Sequence, residues 1–162
     1  MKKLAARAVR KAKTDEEKVR KLVKFVDRYI RDEYGIDPLT VEDVIKEKRG
    51  DCSEHAALFA TLGRAAGIPT REVSGVIYGD VELNGFGGHA WNEVVIDGKW
   101  YPVDPSWNEF VINATHIKFG HGNRKGAGTE LLLGDLKMKV LELEKKKTLG
   151  GTLERLLRSV LE

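Results

Sequence analysis

The sequence is poor in residues that cross-link a protein or oxidise easily. One cysteine occurs among 162 residues, so no disulfide can form within the chain, and the fold must rest on a hydrophobic core. Hydrophobic residues make up 41% and charged residues 33% of the chain, which excludes a disordered protein. Glutamine is absent, whereas lysine and glutamate are abundant, as in heat-tolerant or idealised sequences.

Long apolar runs and a strong excess of one charge are also missing. No stretch approaches the roughly 18 apolar residues that cross a bilayer, and the first residues lack the apolar centre of a signal peptide. We therefore expect no stable membrane insertion. The sequence leaves the cellular location open, with the cytoplasm as the default. A net charge of +3 is too small to indicate nucleic-acid binding, so we expect no nucleic-acid partner.

Helical signals dominate the first half of the chain. Capping boxes and apolar residues at helical spacing predict one helix over about 15–34 and another from Asp51 to Ala66. A short helix capped by Thr40 lies between them. The helix from Asp51 is apolar or small almost all round, so we expect it to be central and buried. The basic segment 1–13 predicts a peripheral helix.

The chain after Pro69 indicates β-structure. Alternating and β-branched residues predict five strands, at 70–78, 89–96, 99–103, 115–119 and 136–143. Asp97 and Gly98 are typical of a two-residue hairpin turn. A peripheral helical segment is expected at 150–162. Helices followed by antiparallel strands indicate an α+β fold, which we expect to form one domain over 1–162.

The one cysteine, Cys52, follows the predicted cap Asp51 and so would open the central helix. Its N–H there has no intrahelical acceptor, and the helix dipole favours a thiolate, which predicts a lowered thiol pKa and a nucleophilic sulfur. The alternative is an inert, buried cysteine. Cys52, His55 and His89 also offer metal ligands, but a fourth ligand with convincing spacing is missing. We therefore expect no metal.

The hairpin register brings a histidine and an acid together. A two-residue turn would pair Ile96 with Lys99. Counting back, Trp91 then faces Asp104, and His89 lies on the same face, diagonal to Asp104. A slip of one residue would place the two on opposite faces. A thiol at a helix start, a histidine in a strand and a nearby acid are typical of a catalytic nucleophile, its base and the acid that orients the base.

Several segments in this region resemble the transglutaminase-like superfamily. They are GDCSEHA at 50–56, RAAGIPTR at 64–71, VSG at 73–75, HAWNEV at 89–94 and WYPVDPS at 100–106. The resemblance, which covers about 40–107, implies a papain-related α+β fold in which a central cysteine-bearing helix packs on an antiparallel sheet. It also implies a catalytic triad of Cys52, His89 and Asp104, the residues that the register selects.

The resemblance implies acyl transfer through a thioester, without a cofactor. Cys52 would attack the carbonyl of a peptide or protein amide, and hydrolysis is favoured over transamidation because water is always available. Related enzymes hold the oxyanion with a tryptophan or glutamine upstream of the cysteine, which this chain lacks; Tyr34 is the candidate substitute. The alternative is a binding or scaffold module, natural or engineered, that keeps the fold without catalysis.

Other residues compete for roles near this site. Glu93 shares the predicted face of His89 and is the alternative orienter. His116 and His121 are expected to be surface residues. Tryptophans 91 and 100 are expected in the core or the pocket wall, and tryptophan 107 along the cleft.

Overall fold

A computed structural model of the protein describes residues 1–79 and 85–121. The helices within these ranges are α1 (Lys2–Ala8), α2 (Asp15–Tyr29), α3 (Val41–Glu47) and α4 (Cys52–Ala65). The strands are β1 (Arg31–Asp32), β2 (Arg49–Gly50), β3 (Thr70–Gly79), β4 (Gly85–Ile96), β5 (Lys99–Val103) and β6 (His116–His121). The α+β expectation is confirmed. The strand and helical segment expected at 136–143 and 150–162 lie outside the described residues.

The central sheet is antiparallel, in the order β5-β4-β3-β6. Ile96 pairs with Lys99 and Asn92 with Val103, which is the register expected from the two-residue turn. Strand β4 begins at Gly85 rather than at His89, because the glycine-rich segment before the histidine pairs with the far end of β3 instead of forming a loop.

Helix α4 lies in the middle of the molecule. Its cap is the expected capping box: the Ser53 N–H donates to Asp51 Oδ1 (2.7 Å), and the Asp51 N–H donates to Glu54 Oε2 (3.2 Å). The buried Glu54 carboxylate also accepts the N–H of Leu39 (3.2 Å). The apolar side chains of α4 pack against α2 and the sheet in a core that includes Val19, Leu22, Val26, Leu58, Phe59, Leu62, Val94 and Val103.

Helix α2 ends earlier than its sequence pattern predicts. The predicted helix runs to about residue 34, but Ile30 is already extended (φ −102°, ψ 132°). Strand β1 follows and pairs in parallel with β2, and the Arg31 N–H donates to the Lys48 carbonyl (2.9 Å). This pairing joins the end of α2 to the residues directly before α4. No helix of the described residues has the length and apolarity to cross a membrane.

Gly75 in β3 leaves room for a large side chain of the neighbouring strand. A Cβ at this position would lie 2.7 Å from Cη2 of Trp91 and would overlap the Ile117 carbonyl oxygen. We expect Gly75→Ala to lower the free energy of unfolding by about 1–3 kcal/mol, because the core would be overpacked. Urea unfolding measures the loss. Gly120→Ala in β6 is the matched control, since a Cβ there has nothing within 4 Å; equal losses in both variants would contradict this account.

Candidate active site

Cys52 is the first residue of α4, as its sequence predicts, and Asp51 is the N-cap. The backbone N–H of Ala90 donates a hydrogen bond to the Cys52 sulfur. Ala90 directly follows His89 in β4, so this hydrogen bond seats the thiol beside the residue expected to act as base. The Cys52 N–H is among the first N–H groups of the helix, which have no intrahelical acceptor.

The electrostatic environment of Cys52 differs from the expectation. Burial and, after it, the negative charge of Asp51 raise the pKa of the thiol to about 12. The hydrogen bond from Ala90 lowers the pKa but does not outweigh them. The lowered pKa expected from the helix dipole is therefore wrong, because burial and nearby carboxylates exceed it. The sulfur is therefore a thiol near neutral pH.

This raised pKa makes a prediction for alkylation of the one cysteine. The thiolate is the reactive species, so the rate of Cys52 alkylation by iodoacetamide should keep rising between pH 8 and pH 11 without a plateau. An ordinary thiol is half-ionised near pH 8.5, and its alkylation rate levels off about 1.5 pH units higher. Mass spectrometry of the labelled protein measures the rate, with free cysteine as the reference. A plateau below pH 9 would show that the folded site stabilises a thiolate.

His89 and Asp104 meet as the hairpin register predicts. His89 Nε2 lies 2.7 Å from Asp104 Oδ2, and only 6% of the His89 side chain is exposed. Because this contact occupies Nε2, Nδ1 is the ring nitrogen that can accept a proton. The geometry suits a base whose orientation an acid controls.

The Asp104 carboxylate is fully buried and accepts several hydrogen bonds. Oδ1 accepts the Ser106 N–H (2.8 Å) and the Ser106 hydroxyl (2.7 Å), and Oδ2 accepts from the Nε2 atoms of His89 and His116. Burial alone would raise the pKa of Asp104, but the hydrogen bonds from His116, His89 and Ser106 outweigh burial and hold that pKa well below its usual range. The carboxylate is therefore ionised, and both imidazoles donate to it.

His116 is not the surface residue that its sequence context indicates. Its side chain is 0% exposed, and its Nε2 lies 3.1 Å from Asp104 Oδ2. The prediction failed because the register of β6 against β3, which pairs His116 with Ile77, cannot be read from local sequence. His116 and Lys118 are two residues apart and share a face of the strand, and Lys118 pairs with Glu93. The side chain of His121 lies outside the described residues.

Comparison with known proteins identifies the family. The family model for the transglutaminase-like superfamily matches residues 2–105. The chain belongs to this superfamily. Mouse kyphoscoliosis peptidase is 28% identical over 129 residues, which cover 72% of this chain and 19% of that protein. The human protein is 29% identical with the same coverage. The chain thus spans about a fifth of the length of these curated relatives.

Solved structures of other proteins share the fold of this transglutaminase-like chain. A candidate cysteine protease from Cytophaga hutchinsonii is 25% identical, with a TM-score of 0.66 over 78% of this chain and 43% of that chain. The periplasmic domain of TgpA from Pseudomonas aeruginosa is also 25% identical, with a TM-score of 0.54 over 66% of this chain and 42% of that chain. The family expected from the sequence motifs is confirmed.

Aromatic rings line the transglutaminase-like site around the two imidazoles. The Trp107 ring lies 5.4 Å from that of His89 and 5.9 Å from that of His116, and Trp107 is 45% exposed. The buried Trp91 ring lies 6.0 Å from that of His89. Trp107 therefore borders the site on its solvent side. Trp100 does not belong to it, because its ring is half-exposed and lies under the Arg71 guanidinium.

Glu93, the alternative acid for orienting His89, pairs with two cationic side chains instead. Its carboxylate forms ion pairs with Arg71 (2.6 Å) and Lys118 (2.7 Å). Burial raises the pKa of Glu93, but its hydrogen bonds with Lys118 and Arg71 lower it more strongly. Asp104, rather than Glu93, is the acid against His89. Tyr34 is 71% exposed, and its role as second oxyanion donor stays a prediction.

The sequence offered Cys52, His55 and His89 as possible metal ligands, but the fold brings a different set of donor atoms together. Buried His55 uses Nδ1 in a 2.7 Å hydrogen bond with the Asp51 carbonyl. Over 1–79 and 85–121, the group of donor atoms close enough to hold an ion consists of His89, Asp104 and His116, within 4.8 Å of one another. A metal ion here would have to replace the hydrogen bonds that the Nε2 atoms of His89 and His116 form with Asp104 Oδ2. Those hydrogen bonds already satisfy both imidazole N–H groups.

Proposed function

We propose that the protein is a cysteine-dependent acyl-transfer enzyme that acts on amide or peptide carbonyls through a thioester, with hydrolysis favoured over transamidation. The observation that carries the proposal is the hydrogen bond between His89 and a buried, ionised Asp104, next to the residue whose N–H binds the Cys52 sulfur. Membership of the transglutaminase-like superfamily supports it.

The first half of the reaction forms the acyl-enzyme. His89 Nδ1 takes the Cys52 proton as the sulfur attacks the carbonyl carbon, since the thiol is not ionised at rest. Asp104 stabilises the resulting imidazolium. The N–H of Cys52 donates to the oxyanion. When the C–N bond breaks, His89 returns the proton to the leaving nitrogen, and a thioester between Cys52 and the acyl group remains.

The second half releases the acyl group. His89, again neutral, takes a proton from a water molecule as its oxygen attacks the thioester carbonyl. The C–S bond then breaks, the Cys52 sulfur recovers the proton from His89, and a carboxylic acid leaves. An amine in place of water would give transamidation with the same proton transfers. Hydrolysis is favoured because water is always present at high concentration.

Incubation with casein, with and without a biotinylated alkylamine, tests the proposal. We expect free ammonia or new amino termini, little amine incorporation, and a mass-detectable thioester on Cys52 after acid quenching. Cys52→Ala should remove all three signals. Amine incorporation as the main product would reverse the stated preference for water. Absence of product and thioester in both proteins would overturn the proposal and favour a scaffold that keeps the fold.

A further inference from the structure

We propose that His116 is a positioning residue for this reaction, which fixes the Asp104 carboxylate against His89. The inference rests on the proposed function of the three site residues. Its basis is that a second imidazole, on a different strand, donates to the same carboxylate oxygen: His116 Nε2 lies 3.1 Å and His89 Nε2 lies 2.7 Å from Asp104 Oδ2.

Each oxygen of the carboxylate is held by two donors from different directions. Ser106, two residues further along the chain, holds Oδ1 through its N–H and its hydroxyl. Oδ2 is held by His89 of β4 and His116 of β6. Without His116, rotation of the carboxylate about the Cβ–Cγ bond would be opposed on the Oδ2 side by His89 alone. In the proposed reaction, the His89 imidazole gains and loses a proton, so its own hold on Asp104 changes during the cycle.

Because Asp104 is buried, each of these donors helps to keep its carboxylate ionised. A carboxylate removed from water stays ionised only if protein donors replace its hydration. His116 supplies an N–H to Oδ2 from a strand other than that of His89. His116 therefore supports the ionised form of Asp104.

The environment of His116 holds its ring in place. The ring meets Trp91 and Trp107 edge-on, with centroids 5.3 Å and 5.9 Å away. Its Nδ1 lies 3.4 Å from the hydroxyl oxygen of Thr115, which donates its proton to Asn113 Oδ1. The proton on Nε2 of His116 therefore follows from its contact with the ionised Asp104 carboxylate. The side chain is fully buried, so water cannot replace Asp104 as its partner.

Two variants separate the hydrogen bond from the packing. His116→Gln keeps an N–H at the position of Nε2 but loses the ring, whereas His116→Phe keeps a ring against the tryptophans but loses the donor. We expect His116→Phe to lower kcat by about ten- to a hundredfold with KM unchanged, because the base is misaligned. His116→Gln should stay within about threefold of the parent protein. Lys118→Gln, in the same strand, is the control.

Nitrogen-edited NMR of the His89 ring gives a readout that does not need turnover. In the parent protein, the control and His116→Gln, we expect one tautomer, with the proton on Nε2 and slow exchange with water. In His116→Phe the signal should shift towards a mixture of tautomers and exchange faster.

Three results test the positioning role of His116. Equal loss of kcat in the Gln and Phe variants would overturn the proposal and make His116 a packing residue. An unchanged His89 tautomer in His116→Phe would overturn it as well. If the parent protein shows no turnover, the proposed function fails, but a tautomer change in the Phe variant alone would still establish that His116 positions Asp104 and His89.

Discussion

His89→Ala is expected to lower kcat at pH 7 by about 10⁵-fold. The Cys52 thiol has a pKa of about 12, so without a base about one molecule in 10⁵ carries a thiolate at pH 7. The remaining turnover should then rise about tenfold per pH unit between pH 7 and pH 11, because each unit raises the thiolate fraction tenfold. Steady-state kinetics across this range measures both the loss and the slope.

Free imidazole provides the control for this variant. Millimolar imidazole should restore part of the turnover of His89→Ala, since the space left beside the Ala90 N–H can admit a small base, and it should not affect Cys52→Ala. A loss of less than about tenfold at pH 7, with no dependence on pH, would mean that His89 is not the base. Circular dichroism confirms that the variant is folded.

Asp104→Asn is expected to lower kcat by about 10⁴-fold with little change in KM. The amide keeps the shape of the carboxylate but removes the charge that stabilises the His89 imidazolium. Its NH₂ group also favours the tautomer with the proton on Nδ1, where the thiol proton has to go. Steady-state kinetics near neutral pH measures the loss.

Glu93→Gln is the matched control for Asp104→Asn. Both changes turn an acid into its amide on the same hairpin, but Glu93 is paired with Arg71 and Lys118. We expect kcat of the control within about threefold of the parent protein, because its charge does not contact the base. Similar losses in both variants would show that net charge, and not contact with His89, governs the effect.

The contact between His89 and Asp104 could be predicted because it depends on short-range pattern. Asp97 and Gly98 fix a two-residue turn, the turn fixes the pairing of Ile96 with Lys99, and strand alternation then sets the face of each side chain. The position of Cys52 at the start of α4 was predictable for the same reason, since the capping box depends on four consecutive residues.

Features that depend on distant parts of the chain were not predictable in this way. The pKa of Cys52 follows from burial, which depends on the whole packed structure. The contact of His116 with Asp104 requires β6 to pair with β3, about forty residues away in sequence. The early end of α2 results from the pairing of β1 with β2, which holds the chain in extended backbone from Ile30 onward.

The short parallel pair of β1 and β2 has a mechanical consequence for Cys52. Gly50 pairs with Asp32, and its carbonyl accepts the N–H of Glu33 (3.0 Å), only two residues before Cys52. The tip of α4 is thereby tethered to the segment that leaves α2. We expect that loosening the amino-terminal helices would shift the sulfur relative to His89 as well as weaken the core. The proposed turnover should then fall before the protein unfolds.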